Sequence, residues 1–214
     1  MSYKVVNTPR VIPVRRGYWV AKRIMDLTLC LLSLPLVLPV GLILAGLIYI
    51  DSPGPVVFTQ MRTGKGGRRF KMYKFRTMVP NAEELKAVYA HLNELTPPDF
   101  KITNDPRVTR VGRVLRKTSL DELPQLINVI KGDMSLVGPR PTSFDASTYD
   151  LWHTERLEVQ PGLTGLWQIE GRSNLDFDER LRLDIEYIER QSLLFDIQIL
   201  IRTVGAVITR KGAH

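Results

Sequence analysis

Asp121 and Glu122 are adjacent carboxylates within S-L-D-E-L-P-Q-L-I-N-V-I-K-G, residues Ser119 to Gly132. The stretch carries signals for both ends of a helix. Ser119 and Glu122 have capping-box spacing, Pro124 is confined to the early turns, and Gly132 is placed for a C-terminal stop. First-turn carboxylates are stabilised as anions by the helix dipole, and the unpaired N–H groups there can hold an anionic ligand. Neighbouring helical residues diverge by about 100°, so the two acids can take different roles around one centre. One carboxylate can attack phosphorus to form an acyl-phosphate, while a second helps to hold Mg2+. The same pair alone would serve as an ordinary helix stabiliser, so the surroundings decide.

Those surroundings are cationic. Arg116 and Lys117 precede the pair and Arg140 stands between two prolines after it. Together they could converge on a diphosphate, with arginine offering a bidentate fork. Lys74 and Arg76, in K-F-R-T-M, are suited either to substrate phosphate or to anionic lipid headgroups. Trp167, Gln168 and Arg172 offer a stacking face, an amide and a cation for a nucleotide, although a loop tryptophan also serves packing. His91 and His153 have no partners at recognisable spacing and read as surface or core residues. With one Cys and three His, neither a disulfide nor a Cys/His zinc site is expected, and any metal should be oxygen-bound.

The elements that must position these groups begin with a charge-free run from Leu27 to Ile50. Its length, 24 residues, would make a helix of about 36 Å, longer than the hydrocarbon core of a bilayer. Cys30, inside it, reads as an inert hydrophobe. Ser33, Pro35, Pro39 and Gly41 interrupt the pattern, and a break near Ser33 to Pro39 is expected. Arg10, Arg15, Arg16, Lys22 and Arg23 precede the run, and Arg62, Lys65, Arg68, Arg69, Lys71, Lys74 and Arg76 follow it. Both flanks therefore carry the cytoplasmic mark, which one straight span would violate. A Pro-broken re-entrant anchor that enters and leaves one leaflet satisfies both.

Residues 1 to 76 hold 13 basic and 2 acidic side chains, although the whole chain of 214 residues carries only +8. Such local basicity points to an anionic partner. Its position beside a membrane segment, without interleaved aromatics, favours lipid headgroups over nucleic acid.

Downstream, Pro55 to Gln60 and Arg69 to Phe75 read as a basic β-hairpin around a Gly-rich turn. Asn81 to Leu95 has helical spacing with Asn81 at the cap, and Thr96, Pro97 and Pro98 stop it. Val108, Val111, Val114 and Leu115 mark another amphipathic helix with arginines opposite. Gly138 to Pro141 forms a rigid turn and Pro161 to Arg172 a Gly-rich loop. Leu175 to Thr209 is helical with a break near Gln191 and Ser192, its last part apolar enough to lie along a membrane interface. The expected fold is α+β: a mostly helical compact unit over 53–214 with a short β-hairpin, preceded over 1–52 by the basic segment and the membrane helix.

At this point the chain resembles a known family. The stretches K-R-I-M-D from Lys22, G-P-V-V-F-T-Q-M-R-T-G from Gly54, K-F-R-T-M from Lys74, D-P-R-V-T-R-V-G from Asp105, T-S-L-D-E-L-P-Q-L-I-N-V-I-K-G-D-M-S-L-V-G-P-R-P from Thr118 and P-G-L-T-G-L-W-Q-I-E-G-R from Pro161 are similar to those of the bacterial sugar transferases, the monotopic phosphoglycosyl transferases. The resemblance runs from about residue 20 to 210, and it leaves room for the catalytic unit without the extra N-terminal spans of longer relatives. It implies transfer of a sugar 1-phosphate from a UDP-sugar to polyprenyl phosphate, with Mg2+ as cofactor, at the cytoplasmic face of the bacterial inner membrane. Downstream glycosyltransferases are the protein partners it implies. Carried onto matching positions, Asp121 is the nucleophile and Glu122 binds Mg2+ or manages the acceptor's proton. Arg140 and Arg116 then stabilise phosphoryl charge. The anchor break falls at Ser33 and Pro35, here separated by Leu34 where the family has the two adjacent. A spanning transferase that uses direct displacement and a non-enzymatic basic membrane adaptor are the competing readings; the second gives no reason for the carboxylate pair beside arginine-rich turns.

Overall fold

Thirty-six residues, Arg16–Asp51, form the first helix, α1, in a computed structural model that describes residues 16–94, 102–145, 151–170 and 177–208. Arg10, Arg15, Leu95, Thr96, Pro97, Pro98, Arg172, Leu175 and Thr209, which figure in the expectations above, lie outside the described residues. Among the described residues α1 is the one helix long and apolar enough to cross a membrane. The expected interruption is not seen as a gap between two helices: the helical backbone runs on through Ser33 to Pro39, with Pro35 and Pro39 inside it. Each proline still deletes one rung of the hydrogen-bond ladder. The Ser33 hydroxyl donates back to the Cys30 carbonyl at 2.7 Å, one residue before the Leu31 carbonyl that Pro35 leaves without its helical donor.

One stripe of α1 is covered by the rest of the chain. Lys22, Asp26, Cys30, Leu44 and Ile48 are buried, at the spacing that puts them on a single face. The other face is bare hydrocarbon, including Leu31, Leu32, Leu36, Leu42 and Ile43. α1 enters both core clusters: Cys30 joins Phe70, Met72, Val129, Val137 and Ile199, while Leu44 and Ile48 join Phe75 and Leu115.

The hairpin forms as read, its first strand shifted toward the turn. β1 (Val57–Thr63) pairs antiparallel with β2 (Arg69–Phe75), Val57 opposite Phe75 and Thr63 opposite Arg69. The helix expected over Asn81 to Leu95 shrinks to α2 (Glu84–Val88) and a 3-10 turn at Ala90–Leu92. Val88 and Leu92 of its stripe stay exposed, and short helices need packing to persist. α3 (Arg110–Thr118) is capped by the Thr109 hydroxyl, which accepts from Gly112 N at 3.0 Å.

The junction after α3 corrects the capping-box reading. Ser119 takes a left-handed conformation, φ 57, and terminates α3 with its N–H on Arg116 O; its side chain caps nothing. For a residue with a Cβ that conformation costs about 1 kcal/mol. A 3-10 turn over Leu120–Glu122 follows, and α4 (Gln125–Lys131) begins only after Pro124. The predicted stop holds: Gly132, at φ 85, closes α4 in the left-handed region.

Two short strands were not anticipated. β3 (Ser135–Val137) and β4 (Gly162–Thr164) pair in parallel, the latter inside what reads as a Gly-rich loop. α5 (Leu166–Glu170) occupies the same loop, after a 3-10 segment over Leu151–Glu158. α6 (Phe177–Arg190) and α7 (Leu193–Ile208) are separated at Gln191 and Ser192, as expected. α7 buries Phe195, Asp196 and Ile199 and exposes Leu194, Ile197, Ile201 and Val204. The Asp196 carboxylate accepts from Lys22 and Tyr18 of α1, each at 2.9 Å, and from Tyr187 of α6 at 2.7 Å, tying three helices at one buried anion.

Candidate active site

Asp121 and Glu122 sit on the 3-10 turn strung between α3 and α4, not in the first turn of a long helix. Their charge environment therefore comes from side chains. Arg140 donates to Glu122 with both terminal nitrogens, Nη1 to Oε2 at 3.3 Å and Nη2 to Oε1. Lys74, near the end of β2, donates to the same Oε1 at 3.0 Å and stands 3.8 Å from Asp121 Oδ2. Arg116 projects from the last turn of α3, its Nε donating to Thr77 Oγ1 at 2.9 Å, close enough to Asp121 for their charges to act on one another.

The two acids are thereby made unlike. Burial alone would raise the Glu122 carboxyl, but Arg140 and Lys74 outweigh it and hold it well below the usual carboxylate range. Burial pushes the Asp121 carboxyl up; Lys74 pulls it back, and the charge of Glu122 adds to the rise. Glu122 is a fixed anion and Asp121 the more basic, less tightly held neighbour. Their side chains are 17% and 13% exposed, so a reagent can reach them.

Mg2+ takes one or two carboxylates plus phosphate oxygens. A carboxylate has about four acceptor positions, and the hydrogen bonds from Arg140 and Lys74 occupy three of those on Glu122. One position on Glu122 and the carboxylate of Asp121 fit such an ion. Among the described residues no cluster of three or more His, Cys, Asp or Glu side chains competes as a metal site.

The remaining predicted residues fall elsewhere. Arg76 is buried and turned toward the end of α1, donating to Ser52 O and to Ser52 Oγ at 3.4 Å. Trp167 and Gln168 lie on α5: the Arg180 guanidinium stands 5.8 Å from the Trp167 ring centroid, and Gln168 Nε2 donates to Leu163 O at 3.4 Å. Neither is among the partners that Asp121 and Glu122 engage. Lys117 is exposed. His153 is a core residue, edge-on to Trp152 and Phe177. Cys30 is buried, as expected.

Three supporting residues escaped the sequence reading. Asn128 bridges α4 to the backbone of β2, accepting from Tyr73 N at 3.0 Å and donating to Lys71 O at 2.7 Å, beside Lys74. An Asn amid Leu126, Ile127, Val129 and Ile130 was the available signal, since a polar side chain on a buried face needs a partner. Arg156 donates to the Arg140 carbonyl and rests 2.7 Å from buried Asp184. Thr77 orients Arg116. A small recess, lined in part by Pro139, Arg140, Thr142, Arg156, Thr63 and Gly64, lies beside Arg140.

An adjacent carboxylate pair of unequal basicity, ringed by fixed cations and carried next to an amphipathic apolar helix, is an arrangement whose chemistry suits phosphate-bearing ligands. The chain belongs to the bacterial sugar transferase family, whose description matches residues 17–210. It is 45% identical over 199 residues to "Galactosyl transferase CpsE" of Streptococcus agalactiae serotype III, a match covering 92% of this chain and 44% of that protein. To "Undecaprenyl-phosphate galactose phosphotransferase" of Salmonella typhimurium it is 43% identical over 198 residues, 90% of this chain and 41% of that one. To "Exopolysaccharide production protein ExoY" of Sinorhizobium fredii it is 40% identical over 200 residues, 91% and 88% of the two chains. The chain thus spans less than half the length of the first two relatives and nearly all of the third.

Proposed function

We propose that the protein transfers a sugar 1-phosphate from a UDP-sugar to polyprenyl phosphate, by way of a covalent intermediate on Asp121, as a membrane step of bacterial surface-polysaccharide assembly. The observation that carries this reading is the asymmetric carboxylate pair: Glu122 clamped by Arg140 and Lys74, and Asp121 beside it, 3.8 Å from the same ammonium and of raised basicity.

Asp121 attacks the β-phosphorus of the UDP-sugar, the bridging P–O bond breaks, and UMP departs with the bonding pair. The sugar phosphate is left as an acyl-phosphate on Asp121. A phosphate oxygen of the lipid acceptor then attacks the same phosphorus and expels the Asp121 carboxylate, which yields the lipid diphosphosugar and the free enzyme. Arg140 and Arg116 offer fixed positive charge to the phosphoryl oxygens as negative charge gathers on them. Mg2+, held by Asp121 and Glu122, would neutralise diphosphate charge and assist departure of UMP. The relative named for transfer to undecaprenyl phosphate supports the choice of acceptor.

The contacts of α1 support a monotopic placement, and the basic residues on both flanks support the cytoplasmic face. Lys22, near one end, is bonded to Asp196, and Asp51, at the other, accepts from Val111 N at 2.9 Å, so both ends rest on the same domain. A re-entrant helix, turning at the stretch thinned by Pro35 and Pro39, leaves both ends on one side of the bilayer and sets the acids at headgroup depth. The basic hairpin faces anionic lipid, and downstream glycosyltransferases receive the product.

Asp121→Asn tests the chemistry. The variant should release no UMP and form no labelled adduct when given a UDP-sugar radiolabelled in its β-phosphate, whereas the wild type forms the adduct without acceptor. An active Asn variant removes Asp121 as nucleophile, and acceptor-dependent UMP release without an adduct favours direct displacement.

A further inference from the structure

The acids stand on a turn of only a few residues, and the two helices that flank it are short: α3 has nine residues and α4 seven. Helices of that length have little stability of their own, so whatever fixes their outer ends sets where the turn between them sits. Both outer ends are held by α1. At the start of α3, the Asp51 carboxylate accepts from Val111 N at 2.9 Å, next to the Thr109 hydroxyl on Gly112 N. At the end of α4, the Arg23 guanidinium donates to Val129 O at 2.6 Å and to Ile130 O at 2.8 Å. In each case the charge suits the helix dipole, an anion at an N-terminus and a cation at a C-terminus, and the bonds go to terminal backbone groups, Val129 O being shared with the capping Gly132 N at 3.0 Å.

We infer that Arg23 and Asp51 are positioning residues, a pair of brackets at opposite ends of α1 that hold the outer ends of α3 and α4 and so fix the Asp121–Glu122 turn between them. The anchor helix is therefore part of the catalytic geometry as well as the attachment to the membrane. Releasing either bracket lets α3 or α4 rotate about its inner end, and the acids move relative to Lys74 on β2 and Arg140 after β3, which belong to neither helix. Displacements near 1 Å at reacting groups cost on the order of 100-fold in rate. This inference rests on the proposed reading of Asp121 and Glu122 for its kinetic consequence but not for its structural one.

The test uses the full chain in lipid nanodiscs, with Asp51→Ala, Asp51→Asn and Arg23→Met beside the wild type. UMP release from the UDP-sugar is measured as kcat and KM, hydrogen exchange is followed in a peptide covering Leu120–Glu122, and Tm is recorded. Asp51→Ala and Arg23→Met should each lower kcat about 10-fold or more per folded enzyme, at a UDP-sugar KM close to wild type, and speed exchange in the turn while β1 and β2 stay protected. Asp51→Asn, which keeps an oxygen for Val111 N–H, should recover most of the loss. Wild-type kcat and exchange in both truncated variants overturn the inference whatever their Tm, as does an Asn variant no better than Ala. If the wild type itself releases no UMP, the proposed function fails, and the exchange rates alone then decide whether the brackets hold the turn.

Discussion

Arg140 faces Glu122 with both terminal nitrogens, and it does so from a backbone pinned between Pro139 and Pro141, with its carbonyl held by Arg156. The planar fork thus arrives with its main chain, its side chain and its counter-ion all fixed. Arg140→Lys keeps the charge and loses the fork. A fall in kcat of about 10- to 100-fold is expected, the size seen when one preorganised charge-stabilising donor is lost. Steady-state kinetics on membrane-embedded enzyme check this, and wild-type kcat in the variant would show that the fork is structural.

The pH profile reports on Asp121. Its carboxyl must be ionised to attack, and burial raises its pKa, so the rate should fall as pH drops through a value above that of an ordinary Asp. Lys74 favours the ionised form, so Lys74→Gln should move the acid limb of kcat/KM to higher pH. The negative charge of Glu122 disfavours that form, and Glu122→Gln should move the limb the other way while lowering the maximum. Parallel movement in both variants would show that the limb belongs to another group.

Gly112 is a packing point with a consequence for the site. A Cβ there would stand 2.1 Å from the Thr77 carbonyl oxygen, backbone against backbone. Gly112→Ala must push α3 off the segment whose Thr77 hydroxyl receives Arg116. The cost should be about 1–3 kcal/mol of stability, read as a lower Tm, together with reduced activity in the protein that remains folded. An Ala variant as stable as wild type would mean that α3 can shift freely.

Chelation by EDTA should stop UMP release, and added Mg2+ should restore it. Zinc should be a poor substitute, because the proposed donors are carboxylate and phosphate oxygens rather than imidazole or thiolate. Activity that survives exhaustive chelation would assign charge neutralisation to Arg140, Arg116 and Lys74 alone.

Much of this site was legible in the linear sequence, and the misses share a cause. The hairpin, α3, the stop at Gly132 and the α6–α7 break all follow local rules of turn chemistry and periodicity, and all appear. Asp121, Glu122, Arg140, Arg116 and Lys74 do come together. The capping box failed because the same Ser119 could close the helix before it or open the one after it, and tertiary packing chose the former. The parallel β3–β4 pair joins segments more than twenty residues apart through Gly-rich sequence with no alternation to read. Arg76 offered no local sign that it would turn to Ser52, and Arg156 and Asp184 meet across a distance in sequence that no spacing rule spans.

The two-sided character of α1 governs how the protein could ever be handled in water. Excising the greasy helix to leave a soluble remnant would strip Cys30 out of one cluster and Leu44 and Ile48 out of the other, and would strand Asp196 without its ammonium partner. There is no seam along which to cut. A water-soluble form would have to be made by repainting, with polar residues replacing Leu31, Leu32, Leu36, Leu42 and Ile43 on the outward face while the inward stripe is left untouched.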